Sequence, residues 1–255
     1  MSSGAVADVI AALALPADTR VERRVPKKLL LEQGAPTASD KRQIQDGIED
    51  VEWVAALKPN NIGVPAFRDA VREYLEISVL TVTLRDQAKS PRLTELIHRA
   101  IPYPVVLVSV QADSQSLSLA HKRWSQGEAG AVVIEEVRRT CPMPQTLPAP
   151  IDAAFLASIA LSGIRARDLF ELYQRWIDLV IALEAASITG VFATPESAER
   201  ATARREALAA HARLRHDIAA IRAQAARETQ MNRRVDLNLA IKRLETELAA
   251  AAKAL

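Results

Sequence analysis

Residues 74–84 read Y-L-E-I-S-V-L-T-V-T-L, and residues 101–110 read I-P-Y-P-V-V-L-V-S-V. Both runs are β-branched and apolar with almost no alternation, as strands buried on both faces require. Between them lies an amphipathic stretch in which Pro91 suits the first helical turn and Leu93, Leu96, Ile97 and Ala100 share one face. Strand, crossover helix and strand make a β-α-β unit, because parallel neighbours cannot be joined by a tight turn. The rest of the fold is read outward from this unit.

Downstream, residues 116–120 and 131–137 predict two further strands flanking a loop with Gly127 and Gly130, and strands so close in sequence pair antiparallel. Upstream, residues 5–15 carry helical spacing that ends at Pro16. Residues 20–31 alternate and predict an edge strand interrupted by Pro26. Thr37 and Asp40 open a helix whose stripe is Ile44, Ile48, Val51 and Val54. The sum is an α/β (α+β) N-terminal domain with a mixed sheet, assigned to residues 1–145.

The proline-rich segment at residues 141–150 marks a stiff linker. Beyond it the chain reads as an all-α region: a helical packing region at 146–194, then a long coiled-coil-like arm at 195–255. Asp168 caps one helix, Thr189-Gly190 ends it, and Thr194-Pro195 opens the next. No glycine or proline occurs from Glu196 onward. Leu214, Ile218, Ile221 and Ala225 form one seam; Leu237, Ile241, Leu244 and Leu248 form another, out of phase with the first. Either the helix reverses into a hairpin, or one long helix changes partner at that point; two helices with a short break near residues 229–232 are the favoured reading. Because a buried leucine gains about 1.5–3 kcal/mol over an exposed one, the arm calls for a partner, and Leu237, Ile241, Leu244 and Leu248 are the candidate partner-binding residues. That partner is the arm's own hairpin mate, the helix ending at Gly190, a second copy of the chain, or another protein.

With 255 residues, 49% of them apolar, and 33 basic residues against 31 acidic, the chain has the composition of an ordinary globular protein. A net charge of +2 supplies no general argument for nucleic-acid binding, so any such surface is local. The local clusters are Arg23, Arg24, Lys27 and Lys28 near the N-terminus, and Arg233 and Arg234 in the arm. A single cysteine, Cys141, fits a reducing compartment. There is no basic leader, and no apolar run approaches the roughly 18 residues of a membrane span. A cytoplasmic protein is expected, with no membrane partner.

Catalytic motifs are sparse. His98 and His121 stand alone, His211 and His216 lie five apart, and neither a phosphate-binding glycine loop nor a nucleophile elbow occurs. A metal-dependent nuclease needs an acid at one strand end and an acid-x-Lys pair on the next. Glu73, Glu76, Asp86 and Lys89 are the candidates, but the second strand offers only V-V-L-V-S-V. No catalytic, cofactor-binding or metal-ligating residue is assigned, and no cofactor is expected.

Several separated motifs nevertheless occur together: V-P-K-K-L-L from Val25, D-K-R-x-I-x-x-G-I-E-x-x-x-W from Asp40, L-K-P-x-x-I from Leu57, I-P-Y-P from Ile101, L-Y-x-x-W from Leu172 and V-D-L-N-x-x-I-K-x-L from Val235. In this order the chain resembles the bacterial domain-of-unknown-function family 4391, encoded beside helicase and DNA methyltransferase genes in phage-defence loci. The resemblance implies a non-enzymatic accessory subunit of a defence or restriction-modification-type system, docking to a helicase or DNA methyltransferase and contacting DNA. The alternative is a metal-dependent nuclease subunit using Glu73 and Glu76.

Overall fold

The computed structural model describes residues 8–127, 131–146 and 148–255. In chain order its elements are α1 (Val9–Ala12), β1 (Arg20–Arg24), α2 (Lys27–Gln33), α3 (Ala38–Gly47), β2 (Ile48–Leu57), α4 (Pro59–Ile62), β3 (Phe67–Arg68), β4 (Glu73–Tyr74) and β5 (Ile77–Leu84). There follow α5 (Ser90–Ala100), β6 (Val105–Gln111), β7 (Ser114–Trp124), β8 (Val132–Arg139), β9 (Met143–Pro144), α6 (Pro150–Ser158), α7 (Leu169–Thr189), α8 (Ala198–Arg227) and α9 (Met231–Lys253). The chain forms two compact units, one reaching to Val180 and the other running from Ile181 to Leu255. The proline-rich segment therefore lies inside the first unit, and α6 and the first half of α7 belong with the sheet.

The sheet runs β1-β2-β5-β6-β7-β8, and β9 also pairs with β7, Ser114 opposite Pro144 and Gln115 opposite Met143, on the side away from β6. Among the described residues its one parallel pair is β5 with β6, Ser78 opposite Val105 and Leu84 opposite Gln111, joined by α5. This is the β-α-β unit read from residues 74–110. The mixed sheet followed by helices is the architecture expected from the sequence. On one face α2, α3 and α5 contribute Leu30, Ile44, Leu93, Leu96 and Ile97 to a core shared with Ile48, Val51, Leu80, Val82, Val105 and Leu107. Elsewhere, the Tyr173 hydroxyl of α7 donates to Val105 O at 2.7 Å and accepts from the Ala120 amide at 2.9 Å, tying that helix to β6 and β7.

Three local expectations are corrected. The predicted helix from Thr37 stops at Gly47, and Ile48–Leu57 is a strand. Its pairing with β5 slips between Ile48 and Asp50 and again between Trp53 and Ala55. Each bulge inserts a residue, so Ile48, Val51 and Val54 are all buried at a spacing of three, which imitates a helix. Residues 20–31 do not form one interrupted strand: β1 ends at Arg24, and α2 begins directly after Pro26, which sits at the cap position where its missing N–H costs nothing. Helix α8 is capped by Ser197, whose side chain accepts from the Arg200 amide, and not by Thr194.

Close approach of α2 to α5 depends on Gly34. A Cβ there would lie 2.6 Å from Leu96 O and 2.8 Å from the Ala100 Cβ. Gly34→Ala is therefore expected to lower stability by about 1–3 kcal/mol, since backbone as well as side chain must give way. Gly163→Ala, where a Cβ meets nothing within 4 Å, should leave the denaturant midpoint unchanged. Equal midpoints for the two variants would refute the close packing.

Candidate functional site

Within the second unit, α8 and α9 pack as an antiparallel hairpin. The two mismatched seams meet: Ile218, Ala225 and Ile241 are buried, and Ile221, Leu237, Leu244 and Leu248 pack around them. Arg222 and Glu245 close the rim at 2.6 Å. The break falls at Glu228–Gln230, where Glu228 leaves helical geometry and Gln230 caps α9. The structure thus brings Leu237, Ile241, Leu244 and Leu248 together in the seam, against α8. What α9 presents outward is a second row, Met231, Val235 and Leu239, which are 63%, 49% and 51% exposed. Spaced by four, these three share a face. Their periodicity was present in the sequence, but the stronger leucine seam concealed it.

The first basic cluster lies at the sheet edge formed by β1. Arg23 and Arg24 stand on β1, both exposed, and Arg24 pairs with Asp50 of β2. Lys27 donates to Ile48 O, and Lys28 lies 3.7 Å from Glu32. Between Arg20 and Arg23 the strand bulges, with Glu22 at φ +49°, which spoils the edge as a template for another strand. Arg233 and Arg234 occupy the exposed first turn of α9 in the other unit.

Two of the three acids proposed for metal chemistry, Glu73 and Glu76, are paired with cations. Glu73 lies 3.1 Å from Arg68 and Glu76 lies 3.2 Å from Lys58. Among the described residues no group of three or more His, Cys, Asp or Glu is placed to hold an ion.

Two buried polar constellations escaped sequence reading. In one, the Tyr74 hydroxyl bonds His121 Nδ1, His121 Nε2 lies 2.8 Å from Gln174 Oε1, and Gln174 Nε2 donates to Asp178 at 2.9 Å. Gln174 Oε1 can only accept, so His121 carries its proton on Nε2 and accepts from Tyr74 on Nδ1. Phe170 and Tyr173 pack around these rings, and burial raises the Tyr74 hydroxyl above its ordinary pKa. Both imidazole nitrogens are occupied, so the chain fastens α7 to β4 and β7 and leaves no lone pair for a substrate. In the other, Lys122 of β7 donates to His98 O and Ile101 O at the end of α5, and His98 Nε2 lies 3.1 Å from Ser118 Oγ. Here too the ammonium caps a helix end, satisfying carbonyls that a terminating helix leaves orphaned.

Residues 13–248 match the family model described as Domain of unknown function (DUF4391). The chain belongs to this family. The DUF4391 match covers the whole sheet, α6, α7, α8 and most of α9, so sheet and helical arm are parts of one family unit in sequence. No curated protein and no solved structure matches the chain. Among the described residues no helix is long and apolar enough to cross a membrane.

Proposed function

We propose that this DUF4391 protein is a non-enzymatic interaction subunit of a bacterial anti-phage defence or restriction-modification-type system, working in the cytoplasm and docking to a helicase or DNA methyltransferase of the same locus. The observation that carries the reading is the exposed row Met231, Val235 and Leu239 on a hairpin whose other apolar face is already used. A row of large apolar side chains that the hairpin itself leaves in water is what an interaction helix offers to a groove. The seam residues Leu237, Ile241, Leu244 and Leu248 then act in docking by holding this row in place. Exposed Arg23 and Arg24, with Lys27, Lys28, Arg233 and Arg234, supply the basic groups for an accompanying DNA contact, which would weaken steeply with salt. For the nuclease alternative, the cation pairing of Glu73 and Glu76 offers no support.

Val235→Glu combined with Leu239→Glu tests the reading in the full chain. Both positions are on the solvent side of α9, so far-UV circular dichroism should match that of the parent. Binding to the helicase or methyltransferase of the locus should fall at least tenfold, because each lost apolar contact is worth about 1.5–3 kcal/mol at an interface. Unchanged co-purification of the folded variant would defeat the proposal. Loss of parental dimerisation in place of heterologous binding would reassign the row to self-association.

A further inference from the structure

A cleft of about 560 Å³ opens at the N-terminal end of α5, outside the carboxyl ends of the parallel strands β5 and β6. In α/β sheets this is the place where crossover geometry leaves a crevice and where ligands sit. Its lining is chemically one-sided: Lys89, Arg92 and Arg139 contribute cations, serines and glutamines contribute hydroxyls and amides, and among the described residues no carboxylate lines it. Arg92 is already held by Asp40 at 2.8 Å and Glu95 at 2.7 Å. Arg139 is not so neutralised: its Nη1 donates to Ser90 Oγ at 3.2 Å, and among the described residues it pairs with no carboxylate.

Ser109 makes the cleft more than a charged surface. It is 3% exposed, it lines the cleft, and its Oγ has no hydrogen-bond partner. An orphaned buried hydroxyl is destabilising unless something outside the chain completes it. Strand register puts Ser109 opposite Ser116, and Ser118 opposite Arg139, so that alternation brings Ser109, Ser116 and Arg139 to the same sheet face as His98 and α5. The wall is also fixed in advance. Gln111 Nε2 donates to Arg85 O, Asp86 O and Ala88 O at 3.0–3.1 Å, locking the connection from β5 to α5 that forms the rim.

We infer that this cleft binds a phosphoryl group, held by the Arg139 guanidinium and the Ser109 hydroxyl at the positive end of α5. A guanidinium and hydroxyls with no opposing carboxylate suit tetrahedral phosphate oxygens, and the volume suits a nucleotide-sized ligand. The phosphoryl group is carried either by a free small molecule or by the 5′ end of a DNA strand.

The test is calorimetric titration of the full chain at low salt with pyrophosphate, ADP, and a single-stranded oligonucleotide with and without a 5′-phosphate. Expected is saturable one-to-one binding of at least one phosphate probe, with the unphosphorylated oligonucleotide weaker by tenfold or more. ADP or pyrophosphate binding identifies a small molecule, and binding of the phosphorylated oligonucleotide alone identifies a DNA end. Ser109→Ala should weaken binding about tenfold and Arg139→Gln about a hundredfold. Ser109→Ala should also melt no lower than the parent without ligand, because it deletes an unmatched hydroxyl. A serine kept only for packing would give the opposite pair, lower melting and intact affinity. Absence of saturable binding for every phosphate probe, or binding indifferent to both substitutions, overturns the inference.

Discussion

Lowering the pH from 7 to 4 is expected to remove about 3 kcal/mol of stability through His98 alone, measured as the loss in the parent beyond that in His98→Asn. His98 is fully buried on α5. Nε2 faces Ser118 Oγ, and Nδ1 has no hydrogen-bond partner. Burial, and secondarily the positive charge of Lys122, hold its imidazole down to about 3, against an ordinary value of 6.5. The folded pKa is depressed, so the unfolded chain binds the proton more readily. The contribution is intact above pH 6.5 and lost progressively as the pH falls toward 3, reaching about 5 kcal/mol at the limit. Asp40, which the Arg92 and Thr37 hydrogen bonds lower to about 2, acts in the same direction between its ordinary 3.8 and 2. It is common to parent and variant and cancels. Denaturant titrations of both proteins at pH 7 and pH 4 give the comparison. Parallel losses would mean that the imidazole reaches water or a counter-charge in the folded state.

How far the sequence discloses this protein depends on whether its signals are local. The β-α-β unit was legible because each part is written continuously: two apolar runs, and a helix with Pro91 in its first turn. The break between α8 and α9 was legible because two seams out of phase cannot face one partner from one straight helix; that α9 folds back on α8 was not, since a long helix changing partner has the same pattern. Strand β2 was not legible, since its two bulges turn an alternating pattern into one with a spacing of three, and only the pairing with β5 reveals it. Helix α2 was hidden by Val25 and Leu29, which fit a strand's alternation and a helix's spacing of four equally well. At the arm, the sequence showed which leucines need burial but not which partner buries them; the docking row is what remains after the hairpin closes. The cleft beside α5 is the extreme case. Lys89, Ser109, Ser116 and Arg139 come from four elements or connections, and each is unremarkable where it stands in the chain. Pairing register and a buried hydroxyl without a partner make them a site.

Raising the pH should reveal the second of the large effects, at Lys122. Its ammonium is buried between β7 and the end of α5, donating to His98 O and Ile101 O, and burial pushes it down to about 7 from an ordinary 10.5. The sign follows from the depressed value: the penalty is absent above pH 10.5, grows as the pH falls, and is complete below 7. Between pH 7 and pH 9.5 the parent is therefore expected to gain stability at up to about 1.4 kcal/mol per pH unit, or about 3 kcal/mol in all, while Lys122→Met stays flat. The window closes at 9.5 so that Tyr74 and Tyr173, both raised by burial, stay protonated throughout. At pH 7 the two proteins should differ less than the loss of two hydrogen bonds suggests, since methionine also removes a buried charge whose desolvation opposes folding. The two large effects are coupled. The positive charge of Lys122 adds to burial in depressing the His98 imidazole, so Lys122→Met should also soften the acid limb, raising the imidazole toward its ordinary range. A parent whose stability stays level from pH 7 to 9.5 would show that the two carbonyls hold the proton on Lys122 against burial, and the softened acid limb of Lys122→Met would then have to be demonstrated independently.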